Sequence, residues 1–186
     1  EVYATVPVAF GAAITAPEYD VPAGYTFSGW SVDATMPAHD VTYNATLTAN
    51  TYNAIFYLDE AKTQVYKTVP TVFGEEIAFP ADPTMDGKEF DAWDNDATVM
   101  EAGDMEFIAI WNDIEYYVEF YNAEGDIIAD DFLFWGDEIT FPEDPALEGH
   151  EFKYWTVNGK PVTAPATVNG DLVAEGDNTI VFEPYF

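Results

Sequence analysis

"GKEFDAW" occupies Gly87–Trp93, and nearly the same phrase stands at Gly24–Trp30 ("GYTFSGW") and at Gly149–Trp155 ("GHEFKYW"). Each time Phe follows Gly by three residues and Trp follows Phe by three more: Phe27 and Trp30, Phe90 and Trp93, Phe152 and Trp155. Three matches at one spacing mark an internal repeat, and the repeat governs how every other residue is read. Working upstream without a gap, Phe10-Gly11, Phe73-Gly74 and Trp135-Gly136 hold one position, followed by Ile14, Ile77 and Ile139, then by Pro17, Pro80 and Pro142. Copies two and three share Asp-Pro pairs at Asp82-Pro83 and Asp144-Pro145, whereas copy one has Tyr19-Asp20 and a displaced Pro22.

The register extends in both directions. "VYATVPVAFG" (Val2–Gly11) aligns with "VYKTVPTVFG" (Val65–Gly74), and "MPAHDVTYNA" (Met36–Ala45) with "MEAGDMEFIA" (Met100–Ala109). The third copy rejoins this pattern at "VAEGDNTIVF" (Val173–Phe182), after an insertion that carries Asn158-Gly159 and Asn169-Gly170. Asn-Gly is a strong two-residue hairpin signal, so an inserted hairpin is expected near 156–172. The period is 63 and then 62 residues, which sets the repeats at 1–50, 51–112 and 113–186.

Within a repeat the apolar residues alternate. In "YNAIFYL", Tyr52, Ala54, Phe56 and Leu58 share one face, and in "IEYYVEF" so do Ile114, Tyr116, Val118 and Phe120. That period of two predicts half-buried strands. Second strands are expected at 65–73 and 127–135, third strands from the Gly-x-x-Phe-x-x-Trp segments, and a fourth at 106–111. No window sustains a capped 3.6-residue period, and at most a short helix or 3₁₀ turn fits between Pro80 and Gly87. The fold class is therefore mainly β: three small modules over aromatic cores. Copy one opens where the second strand should stand, so repeat 1 lacks its first strand.

Composition narrows the function. Of 186 residues 48% are hydrophobic and 17% aromatic, ample for a core and unlike a disordered chain. Thirty-five acidic residues against five lysines give a net charge of −30, which repels phosphate backbones and anionic membrane surfaces, so nucleic-acid binding is excluded. The same charge keeps a repetitive β protein soluble and predicts a monomer. There is no cysteine, hence neither a disulfide nor a thiolate metal site. No apolar stretch reaches bilayer length, so membrane insertion is not expected, and no signal peptide or sorting tail is seen.

The Gly-x-x-Phe-x-x-Trp motif, preceded by Phe-Gly and paired prolines and followed by "MPAHDVT", resembles the Listeria–Bacteroides repeat, the internalin-type B-repeat. The resemblance covers all three copies. Copy two departs with "MEA", copy three with its insertion. It implies β-grasp-like modules in an elongated array, within secreted or surface-attached proteins of Gram-positive or gut bacteria, where such repeats form adhesin stalks.

Candidate site residues divide between two readings. Trp30, Trp93 and Trp155, with Phe27, Phe90, Phe152 and the glycines Gly24, Gly87 and Gly149, read as the structural core of the repeats, because each copy places them identically. The competing reading makes the Trp faces sugar-stacking platforms. Trp111 and Trp135 fall outside the motif and read as module-interface residues. The acidic runs 91–104 and 124–131 lack the Asp-x-Asp-x-Asp-Gly spacing with a distal Glu and read as solvated faces, with weak extracellular calcium binding as the alternative. His39 and His150 stand in non-equivalent places, and no nucleophile or metal-His arrangement accompanies them. No motif singles out Lys62, Lys67, Lys88, Lys153 or Lys160 for an isopeptide bond, and the Asn44-Ala45-Thr46 sequon reads as incidental.

Neither a catalytic residue nor a cofactor is expected. The reading is a non-catalytic surface-protein segment acting as spacer or adhesin stalk, extracellular, anchored through regions outside this chain, with adjacent repeats as its partners. A binding module for a host protein or glycan is the alternative, and an accessory region of a secreted enzyme the weaker one.

Overall fold

The computed structural model describes residues 2–174 and 176–186. Among them the regular elements are eleven strands and no helix: β1 (Tyr25–Trp30), β2 (Ala45–Ala49), β3 (Thr51–Tyr57), β4 (Val65–Val72), β5 (Lys88–Trp93), β6 (Met105–Asp113), β7 (Glu115–Tyr121), β8 (Ile127–Phe134), β9 (Tyr154–Val157), β10 (Lys160–Val162) and β11 (Thr179–Tyr185). The protein is mainly β. The segment between Pro80 and Gly87 holds no helix, since Pro80 and Pro83 each fix their own φ and hold the preceding residue extended.

The chain divides into two compact units, Glu1–Ala81 with Trp93–Ala109, and Asp82–Ala92 with Ile110–Phe186. Strand order runs β4-β3-β6-β5 in a four-stranded sheet and β10-β9-β11-β7-β8 in a five-stranded one, with β1 and β2 forming a separate pair. In copies two and three the opening strand lies parallel to the closing strand. β3 pairs with β6, Phe56 opposite Phe107, and β7 pairs with β11, Phe120 opposite Phe182. Parallel neighbours require a long crossover. Here the crossover covers the sheet, bringing Ile77 or Ile139 onto the inward face that period-two alternation supplies.

Two cores result. One gathers Ala54, Phe56, Ile77, Met100 and Phe107, with Trp93 packed against it. The other is larger and gathers Tyr116, Val118, Phe120, Ile139, Trp155, Val157, Val168, Leu172, Ile180 and Phe182. Phe56 stacks on Phe107 at 4.7 Å between centroids, and Phe120 on Phe182 at 4.4 Å.

The repeat is legible in the crossover's backbone bonds. Gly11 N–H donates to the Met36 carbonyl, Gly74 to Met100 and Gly136 to Val168, each at 2.9 Å. Met36, Met100 and Val168 return the favour to Ala12, Glu75 and Asp137 at 2.9–3.0 Å. Val168, not Val173, thus occupies the third copy's equivalent of Met100. This corrects the sequence alignment, in which the third copy rejoined at Val173–Phe182, a stretch whose Glu175 lies outside the described residues. Two insertions replace one: six extra residues between Trp155 and Val168, and seven between Val168 and Phe182, by comparison with Trp93, Met100 and Phe107. The first contains Asn158-Gly159, a hairpin turn joining β9 to β10 with both residues at positive φ (52° and 73°). Asn169-Gly170 makes no hairpin. Its Asn169 side chain accepts from Asp171 N–H and donates to the Thr167 carbonyl, stabilising a loop instead.

Copy one is reduced further than the sequence implies. Val2–Ala9 aligns with β4 without a gap but forms no strand, and among the described residues β1 and β2 are the only strands of this copy. The reason is the missing neighbour: β4 and β8 each pair with an opening strand, β3 or β7, whereas no described residue pairs with Val2–Ala9 in this way.

Candidate interaction surfaces

The motif residues sit at different depths. Trp155 is 3% exposed, its ring 5.0 Å from Phe120 and 5.4 Å from Phe152. Trp93 is half-buried with its ring 4.9 Å from Phe56. Trp30 is also half-buried, amid Tyr3, Tyr19 and Phe27, and its Nε1–H donates to the Pro17 carbonyl at 3.0 Å. Phe27, Phe90 and Phe152 are all half-buried, Phe90 turning edge-on to Trp111 at 5.8 Å. All three Trp rings thus contact other aromatic rings of the protein.

The motif glycines part company too. Gly24 and Gly87 are buried, Gly149 is exposed. All three have positive φ (85°, 71° and 76°). What buries the first two is an aromatic ring from the following repeat. A Cβ on Gly24 would stand 2.5 Å from Cγ of Phe73, and one on Gly87 would stand 2.6 Å from Cγ of Trp135. Only a residue without Cβ admits those rings. The Gly24 carbonyl also accepts from Asn50 N–H at 2.8 Å, and the Gly87 carbonyl accepts from Ile114 N–H at 3.0 Å, so ring and opening strand arrive together. Tyr25 adds an edge-to-face contact to Phe73 at 5.3 Å. Sequence reasoning noticed the aromatic-Gly pairs but not what they dock on; their unbroken recurrence was the available signal.

Carboxylates are spread rather than convergent. Among the described residues no group of three or more His, Asp or Glu is placed to hold a metal ion. Within 91–104, Asp94 accepts from Ile108 N–H at 2.6 Å and Asp104 from Asn53 N–H at 2.7 Å, so these carboxylates tie backbone. Asp59 caps the β3–β4 turn, accepting from Thr63 Oγ1 at 2.6 Å and from Gln64 N–H at 2.8 Å. These bonds, led by the Thr63 hydroxyl, hold its carboxyl below the usual range. Lys62 pairs with Glu106, Lys88 with Asp113 and Lys153 with Glu151, all at exposed sites. The Glu106 hydrogen bond raises the Lys62 ammonium above its ordinary value. Lys67, Lys160, His39 and His150 are exposed.

Edge strand β8 carries Ile127, Ile128, Phe132 and Phe134 exposed to solvent. Phe132, 58% exposed, stacks on Tyr117 at 4.7 Å, and the Tyr117 hydroxyl donates to Asp130 at 3.1 Å. Asp130 and Asp131 interrupt the apolar run, a charge placement that discourages edge-to-edge pairing.

A single family description covers these features. The Listeria-Bacteroides repeat domain matches the chain three times, over residues 2–57, 52–110 and 116–181. The chain belongs to the Listeria-Bacteroides repeat family. Among curated relatives, two proteins of Evansella cellulosilytica are similar: one named as a Gly-rich membrane protein (30% identical over 154 residues, 71% of this chain and 18% of that protein), the other as a membrane protein (29% over 169 residues, 81% and 25%). Internalin H of Listeria monocytogenes is 33% identical over 100 residues, 48% of this chain and 18% of its own length. The Listeria-Bacteroides repeats described here therefore span a quarter or less of each of these relatives. Among the described residues no helix is long and apolar enough to cross a membrane.

Proposed function

We propose that these Listeria-Bacteroides repeats are a non-catalytic, load-bearing spacer in an extracellular bacterial surface protein. One observation carries the reading. In repeats two and three the first and last strands, β3 with β6 and β7 with β11, are hydrogen-bonded neighbours running parallel. Tension applied to the two ends of such a repeat shears that pair, loading all its bonds at once instead of peeling them singly. Neighbouring repeats and flanking regions of the parent protein are its partners in this role, with attachment supplied outside the chain. The names of the relatives, two membrane proteins and an internalin, support a surface location.

Single-molecule stretching tests the proposal. Two well-separated force peaks are expected, one per core, each releasing about 200 Å of chain, as ~60 residues at ~3.4 Å give. Unfolding without a resolved peak would overturn the spacer reading. Binding of a host protein or glycan is the second reading, favoured by the exposed Phe132 ring stacked on Tyr117; a glycan-array signal lost in Phe132→Ala would establish it instead.

A further inference from the structure

The contact between consecutive repeats is built from one ring and one glycine. Phe73 covers Gly24 and Trp135 covers Gly87, each ring coming from the residue just before the glycine in the turn that follows the second strand of the next repeat. The same two groups occur once more without each other. Gly149 has the same left-handed backbone (φ 76°), is exposed, and nothing lies within 4 Å of where its Cβ would be. Phe10, which holds the position of Phe73 and Trp135, is 77% exposed, the ring left in water at the head of the first repeat. A Phe ring does not gain from that exposure, since covering its apolar surface is favourable.

We propose that Gly149 is an open socket for the aromatic residue of a further repeat of this kind, and that Phe10 is the matching ring for the motif glycine of a preceding one. The occupant is defined by chemistry: a β module presenting an aromatic side chain directly before a glycine, in the turn that ends a second strand following an opening strand. That opening strand brings a backbone N–H to the Gly149 carbonyl, as Asn50 does for Gly24 and Ile114 for Gly87. A glycine is required at the socket because any Cβ fills the place of the ring. The requirement is independent of whether the array spaces or binds.

Sequence spacing says how to build the test. Asn50 lies seven residues past Tyr43, and Ile114 seven past Phe107, the residues that precede the carbonyl bonded by Ser31 and Asp94 respectively. Phe182 is the third member of that set by its stack on Phe120. Appending a second copy of residues 48–113 directly after Phe186 therefore places the appended Asn50 seven residues past Phe182. Amide hydrogen exchange is then followed at 147–150 in the parent and the extended chain. Extension is expected to slow exchange at Gly149 and His150 at least tenfold, and Phe73→Ala in the appended copy to restore the fast rate. An appended copy that folds while Gly149 exchanges as before, or one that fails to fold on the chain, overturns the proposal. A control needs no extension. Gly87→Val and Gly149→Val impose the same backbone strain, but only the former meets a ring. Gly87→Val is expected to lower the melting temperature distinctly more and to shift Trp135 emission toward the red, while equal losses at the two sites would refute the socket.

Discussion

Replacing Trp155 by Ala removes the largest side chain from the second core. A Trp buries up to about 250 Å², worth ~6 kcal/mol at ~25 cal/mol per Å². The unfolded chain already hides some of that area, and a discount of 10–40% leaves roughly 4–5 kcal/mol. The site has little room to relax, because Phe120 and Phe152 stand against the ring from two sides and Val157, Ile180 and Phe182 belong to the same buried cluster. A Trp→Ala cost in the ~3–5 kcal/mol range follows. Trp30→Ala is expected to cost less, about 1–3 kcal/mol, since its ring is half-buried and loses one hydrogen bond to the Pro17 carbonyl. Trp93, half-buried against Phe56, falls between them. Urea unfolding followed by exchange mass spectrometry separates the two units, which a single spectroscopic melt would merge. Trp155→Ala should expose 116–120 and 180–182 at low urea while leaving 54–56 and 105–107 protected. A Trp155→Ala variant as stable as Trp30→Ala would refute the core assignment and revive the sugar-platform reading.

The Asp59 carboxyl is held low by its turn, so its contribution is complete above the ordinary carboxylate pKa of about 3.9 and is lost as pH falls through the lower folded value. Asp59→Asn should therefore be less stable than the parent at pH 6, with the difference closing as pH falls below the ordinary carboxylate value; a constant difference across that fall would contradict the assignment. Because the net charge is −30, the melting temperature should rise as sodium chloride is added from low to physiological ionic strength. Calcium at matched ionic strength should add nothing further, and a large calcium-specific rise would instead establish cation sites. Gly159→Val forces a β-branched residue into φ 73° and should cost roughly 1–2 kcal/mol, read as lost protection in β9 and β10; an unchanged hairpin would show that the Asn158-Gly159 turn does not set it.

Local spacing alone was enough to establish the repeat, the strand segments and the mainly β class. Gly-x-x-Phe-x-x-Trp, the aromatic-Gly pairs and period-two alternation all act over a few residues, and strand geometry translates them directly into faces and turns. β4 and β8 end within one residue of the sequence expectation for the same reason. Tertiary structure decided what those segments meet. That β3 lies parallel to β6, and β7 to β11, depends on pairing between partners such as Ala54 and Met105 or Tyr117 and Thr179, far apart in sequence, about which alternation is silent. Val168 rather than Val173 took the place of Met100 because a buried apolar position is filled by whichever residue the flanking loops deliver, and two insertions delivered Val168. Val2–Ala9 shows the converse: a sequence that forms a strand in copy two forms none in copy one, because a strand exists only with a partner for its hydrogen bonds. Gly24, Gly87 and Gly149 look identical as letters. Whether each is covered by a ring or open to water is a property of the neighbouring repeat, and no reading of seven residues contains it.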